Sequence, residues 1–153
     1  MLSAIQVIRH GFRSFKVESH DDFSDDAKFV STYDVTASQH HGEVEGDENY
    51  WDVHLLYQFG AREGEQGRYS GRIEAQGLFW IQPNFAEEKK ENLAHMNGGA
   101  ILLGAVREAV LNLTIRSING PLELPLVDAR SFLPEEVRSQ NFIPAPKPKP
   151  EGE

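Results

Sequence analysis

Cysteine is absent from the chain. Without it there is no disulfide framework, no thiolate zinc site and no cysteine-based redox chemistry. An excess of positive charge is missing too. Fifteen Lys and Arg stand against twenty-four Asp and Glu, a net charge of -9, which disfavours nucleic acid as a general partner and favours solubility. The nearly all-apolar segment from Ala100 to about Ser117 is too short to span a bilayer and carries Arg107 and Glu108 in its middle, so no membrane insertion is expected. MLSAIQVIRHG lacks a basic region followed by an apolar run and lacks a small-residue cleavage pattern. No signal peptide is expected, and the cytoplasm is the default location. Gly98-Gly99 opens a helix without the spacing or the lysine of a phosphate-binding loop.

What is present reads as strands followed by helices. Residues Ala4 to Glu18 carry Ile5, Val7, Phe12, Phe15 and Val17 around Gly11, which predicts a strand with a bulge or bend at the glycine. HDDFSDDA is a loop. From Lys28 to Gln39, Phe29, Tyr33, Val35 and Ala37 alternate with Thr32, Asp34 and Thr36, a half-buried strand. After the turn HHGEVEGDEN, Trp51, Val53, Leu55, Tyr57 and Phe59 alternate with Asp52, His54 and Gln58. Beyond AREGEQG, Tyr69, Ile73, Ala75, Phe79 and Ile81 do the same, completing a hairpin. Gly71 and Gly77 share the apolar face of that last strand, where a missing side chain permits close approach, here expected from the helix.

QPNFAEEKKENLAHMNGG reads as a surface segment with one helical turn, closed by Gly98-Gly99. The main helix, Ala100 to about Ser117, is apolar around most of its circumference and needs cover on two sides. The chain's own sheet and a second copy of the protein are the expected covers. Asn119-Gly120-Pro121 stops the helix. Leu122, Leu124 and Leu126 form an extended segment in which Pro125 argues against a central strand, and PEEVRSQNF predicts a short second helix. The whole is one α+β domain over residues 1–143, with a four-stranded antiparallel sheet followed by one long and one short helix on one face. The Pro- and Lys-rich tail, 144–153, is expected to be disordered.

Chemistry-bearing clusters are few. The aspartates of HDDFSDDA lack the glycine and terminal glutamate of an EF-hand. His40 and His41 with Glu43 and Glu45 lie in one loop and are read as solvated, not as a metal site. His54, Asp52 and Glu74 share the polar face of neighbouring strands and are likewise read as solvated. Arg107 and Glu108 point about 100° apart and need separate partners. Phe79 and Trp80 point to opposite faces of one strand, so one of them lies outside the core side and marks an interaction surface.

With these elements in place, the run AILLGAVREAVLNLTIRSINGPLELPLVDA resembles the helix and following loop of the SecB export-chaperone family. Ile101, Leu102, Arg107, Glu108, Arg116, Leu122, Leu124 and Val127 fall on matching positions, with Gly104 where the family carries proline. Gly77-Leu78-Phe79-Trp80-Ile81 resembles the family's glycine-isoleucine-phenylalanine strand end. The resemblance implies an ATP-independent holdase that binds unfolded polypeptides, is not an enzyme and uses neither cofactor nor metal. It further implies a homotetramer built as a dimer of dimers. Phe79, Trp80, Leu122, Leu124, Leu126 and Phe132 are the residues it implies for client binding; Ile101, Arg107, Glu108 and Leu111 are those for the oligomer interface. Where the family docks the translocase motor SecA through acidic residues, this chain carries Phe12, Lys16, Ser70 and Arg72. That departure suits a dedicated client, such as an antitoxin, better than SecA.

Two other readings compete. HMNGGAILLGAVREA also resembles the helix start of hot-dog thioesterases, with Glu108 at the catalytic carboxylate. Strands precede the helix here, whereas hot-dog strands mostly follow it. The second is an adaptor that binds one folded partner.

Overall fold

A computed structural model of the chain describes residues 2–42 and 46–140. Four strands form one antiparallel sheet: β1 (Ile5–Ser19), β2 (Phe29–Gln39), β3 (Tyr50–Ala61) and β4 (Tyr69–Ile81). Their spatial order is β1-β4-β3-β2. Three strands in sequence order thus carry the first strand back beside the fourth, a Greek-key path. The crossing from β1 to β2 is held by the His20 N–H donating to the Arg68 carbonyl at 2.9 Å and the Ser24 N–H donating to the Gln66 carbonyl at 3.0 Å.

Alternation sets which residues go inward. Val53, Leu55 and Tyr57 on β3 and Ile73, Phe79 and Ile81 on β4 are at most 1% exposed. Each such burial of a large apolar side chain contributes roughly 1.5–3 kcal/mol. The core continues into Leu102, Leu103, Val106 and Val110 of the helix above. Gly71 and Gly77 do lie on this face, but aromatic rings of the sheet itself fill the space, not the helix. A Cβ at Gly71 would sit 2.5 Å from the Phe59 ring, and one at Gly77 would sit 2.6 Å from the ring of Phe79. Each glycine is the seat of a ring, so the sheet closes part of its own core.

Two local expectations are corrected. In β1 the irregularities flank the glycine, between Val7 and Arg9 and between Phe12 and Ser14, while Gly11 itself pairs with Gln76. The Gly98-Gly99 step does not close a surface turn. Helix α1 (Glu87–Leu93) runs through a π turn (Ala94–Gly98) directly into α2 (Gly99–Thr114). Both glycines are helical and are selected by crowding: a Cβ on Gly98 would lie 2.9 Å from Val53, and one on Gly99 would lie 2.9 Å from the Phe132 ring. In sequence the pair reads as punctuation because glycine lowers helix propensity; close packing onto β2 and β3 overrides it.

After α2 the chain turns at Gly120, whose φ of 81° suits glycine. It then runs extended to a 3-10 turn at Ala129–Phe132 and a short helix α3 (Glu135–Gln140). The expected tail, 144–153, and Glu43 and Glu45 of the histidine-rich loop lie outside the described residues.

Candidate functional site

The segment between Gly120 and Asp128 joins no strand, yet it is fastened at several points. The Arg107 Nε–H donates to the Leu124 carbonyl at 2.9 Å. The Thr114 hydroxyl accepts from the Leu122 N–H at 2.8 Å and donates to the Val110 carbonyl at 2.7 Å. The Tyr69 hydroxyl donates to the Gly120 carbonyl, and the Asn119 amide donates to the His20 carbonyl at 2.9 Å. A regular extended backbone would put Leu122, Leu124 and Leu126 on one side, but this segment, interrupted by Pro125, does not keep that alternation. Leu124 is inserted into the core, whereas Leu126 is 83% exposed.

Beside this segment lies a hollow of about 260 Å3 lined by Lys28, Phe29, Gly60, Ala61, Tyr69 and Leu122. Its wall belongs in part to β2, the strand at the sheet edge. Phe29 stacks on Phe59 with ring centroids 5.9 Å apart and is still 40% exposed, as is Val30. A half-covered aromatic and, among the described residues, an edge of β2 that pairs with no strand adjoin this hollow, and an exposed leucine, Leu126, lies further along the segment. Apolar side chains and backbone pairing groups are both available there to an extended polypeptide.

The residues expected to bind clients do not form one surface. Phe79, Leu124 and Phe132 are core side chains, 0%, 1% and 3% exposed, and so are out of reach of a client. Trp80 is half-buried on the opposite face of β4, opposite Tyr50 of β3. On the extended segment, Leu122 and Leu126 remain accessible, whereas Leu124 between them does not. Phe29 belongs with these two through the hollow it lines with Leu122 and is absent from the expected set, whereas Val30, next to it on β2, is exposed on the opposite face. The signal for Phe29 is present as the first apolar residue of an alternating run, but its exposure depends on β2 being an edge strand, which the order of the strands in sequence does not reveal.

The residues expected at an oligomer interface divide similarly. Ile101 and Glu108 are exposed on α2, and Leu111 is half-buried. Gly104, where an added Cβ would meet nothing within 4 Å, leaves this stripe flat. Leu113 and Ile115 continue the exposed apolar surface of α2 and the residues after it, while Val7 and Phe12 are exposed on β1. Arg107, in contrast, turns inward to the 120–128 segment, where Glu123 also lies 3.9 Å away. Its partner is a carbonyl of its own chain, so its position on the apolar helix is explained without a second subunit.

The polar face of the sheet shows no assembled acid-base pair of the kind considered for His54, Asp52 and Glu74. Asp52 Oδ2 is 2.8 Å from His40 Nδ1, Glu74 bridges to Arg72 at 2.7 Å, and His54 is exposed. On the covered side, burial is the main cause that raises the Tyr57 phenol, opposed by the Ser31 hydroxyl and the Arg107 charge. It stays protonated at neutral pH. Among the described residues no group of three or more His, Cys, Asp or Glu is placed to hold a metal ion. Glu108, the carboxylate of the hot-dog comparison, is exposed on α2.

Comparison with known proteins bears on the fold. No family model matches the chain, and no curated protein matches it significantly. Among solved structures, the chain is similar to the SecB-like chaperone Rv1957 of Mycobacterium tuberculosis, determined in complex with a ChAD peptide from the HigA1 antitoxin. That match has a TM-score of 0.61 and 16% sequence identity, and covers 82% of this chain and 91% of that one. A protein of unknown function from Streptococcus agalactiae also matches, with a TM-score of 0.41 and 16% identity, over 81% of this chain and 100% of that one. The fold is therefore the SecB-like α+β fold that the helix and strand-end residues led us to expect.

Proposed function

We propose that this protein is an ATP-independent holdase that binds non-native polypeptides along the end of the molecule framed by β2 and the 120–128 segment. The observation that carries the reading is the exposure of Phe29 at the hollow it lines with Leu122, together with exposed Leu126 on the same 120–128 segment and, among the described residues, an edge of β2 that pairs with no strand. An unfolded client offers the matching chemistry. Its apolar side chains fill the hollow, its backbone pairs with β2, and many weak contacts along a wrapped chain sum to useful affinity. The SecB-like fold supports the reading, and a fold neighbour bound to an antitoxin peptide makes a dedicated antitoxin-type client a natural candidate.

Oligomerisation belongs to the same proposal. The flat stripe of Ile101 and Gly104 on α2, continued by Ile115, is apolar and is not covered by any of the described residues. A second copy placed on it would bury this stripe, and a dimer of dimers would line up several client-binding ends. Lys16 and Arg72 at the positions where the SecB family carries acids favour a restricted client set over docking to SecA.

The test is aggregation of a chemically unfolded protein followed by light scattering without nucleotide, alongside the mass of the purified sample in solution. The expected result is a tetramer that delays aggregation, with the delay lost in Leu126→Asp while the fold and mass are unchanged. A monomer that leaves aggregation untouched overturns the reading.

A further inference from the structure

The open face of the sheet carries a hollow of about 430 Å3 lined by Arg9, His10, Asp52, His54, Gln76 and Leu78. Its rim is shaped by the two irregularities of β1. The first precedes Arg9, the second places Arg13 between Phe12 and Ser14, and Gly11 lies between them opposite Gln76. Arg13 lines an adjoining depression with His54, Leu56 and Glu74, so His54 is common to both hollows. A bulge re-aims a side chain relative to the regular pleat, and here the two bulges put an arginine on either side of a side-chain-free step.

The charges around them are already committed. Lys16 pairs with Glu18 at 3.3 Å, Arg72 with Glu74 at 2.7 Å, and His40 with Asp52 at 2.8 Å. Among the described residues Arg9 and Arg13 have no ion pair of their own. Asp34 is exposed on the same face but on β2, at the far edge of the sheet. Two free guanidinium groups thus mark the β1–β4 half of the face in a chain whose net charge is -9.

We infer that this half of the open face docks an extended acidic polypeptide segment, with carboxylates on Arg9 and Arg13 and the backbone lying over Gly11 and Gln76. Four residues along a bulged strand separate the two arginines' Cα atoms by roughly 10–13 Å, a spacing suited to two carboxylates on an extended peptide. Each guanidinium can hold a carboxylate with two parallel hydrogen bonds. The surface is separate from the apolar end proposed for clients, and the inference does not rest on the chaperone reading.

Binding of a fluorescent oligoglutamate peptide to the full chain, read by anisotropy at low and raised salt, tests it. Oligoglutamate should bind, weaken with salt, and outcompete oligolysine of equal length. Arg9→Glu with Arg13→Glu should weaken oligoglutamate binding by at least about tenfold, whereas Lys89→Glu with Arg116→Glu, an equal charge change at exposed sites elsewhere, should leave more than half of it. Circular dichroism checks the fold, and if the double reversal unfolds the sheet, Arg9→Gln with Arg13→Gln should still give a severalfold loss. Equal losses in the two double variants, or tighter binding of a single-stranded RNA oligonucleotide than of oligoglutamate, would overturn the assignment. Aggregation suppression measured on the same variants separates this outcome from the fate of the holdase reading.

Discussion

On β3, Val53, Leu55 and Tyr57 are sealed in the core beneath α2, while Asp52, His54 and Gln58, one residue away from each, look out from a face that the described residues leave uncovered by any helix. The two faces come from the same alternation and differ in how they are finished. The covered face is closed by rings seated on glycines and by a helix whose own glycines allow it to approach. The open face is finished by short ion pairs and by two free arginines. Packing is cooperative and unforgiving, whereas exposed charges are individually weak and exchangeable. Stability therefore resides on one face, and the other is free to be specialised for partners.

The difference is broken most severely by emptying the covered face. Phe79 is fully buried and its ring occupies the space above Gly77. Phe79→Ala should cost about 3–5 kcal/mol, because the cavity adds to the lost transfer energy. Urea unfolding measures it. A loss below about 1 kcal/mol would mean that the ring is not part of a packed core.

A smaller effect is expected where the core meets the 120–128 segment. Arg107 is three-quarters buried along its side chain, and its Nε–H satisfies the Leu124 carbonyl. Arg107→Met keeps the aliphatic packing and removes the donor. The expected cost is about 1.5–3 kcal/mol, the range for a hydrogen bond to a charged group with its partner left unpaired. Hydrogen exchange should show protection lost first from Leu122 and its neighbours, because Leu124 then lacks one of its two anchors, the other being its own burial. Unchanged exchange there would return Arg107 to the role of an assembly residue that its sequence position suggests.

How far sequence reaches follows the same division. Period-two alternation makes β2, β3 and β4 legible nearly to the residue, and the apolar stretch after Gly99 gives α2, because burial on one face writes a regular pattern. The Leu122, Leu124, Leu126 run is legible as extended but not as divided, since which leucine turns inward depends on Thr114 and Arg107 fixing the backbone. Phe79, Leu124 and Phe132 read as a binding surface because apolar residues look alike in sequence whether they are covered or not. Gly98 and Gly99 mislead for a related reason: a glycine demanded by a neighbour's side chain carries the same letter as one demanded by a turn. Most of the fold can be read; the site requires knowing which strand is at the edge and what lies over each residue.

The smallest effect should come from the open face. Glu74 and Arg72 are partly exposed, with side chains 33% and 47% accessible, and their 2.7 Å pair runs between positions on the same side of β4. Such a pair gains little over solvation by water and loses side-chain freedom, so Glu74→Gln should change stability by less than about 1 kcal/mol. It should nonetheless release Arg72 beside Lys16, its cross-strand partner, and raise the positive charge of the β1–β4 half. Oligoglutamate binding should therefore strengthen as stability stays nearly constant. A substitution with the opposite balance, a large loss of stability and no change in binding, would show that the open face is held as tightly as the covered one and that the two have not been divided between folding and recognition.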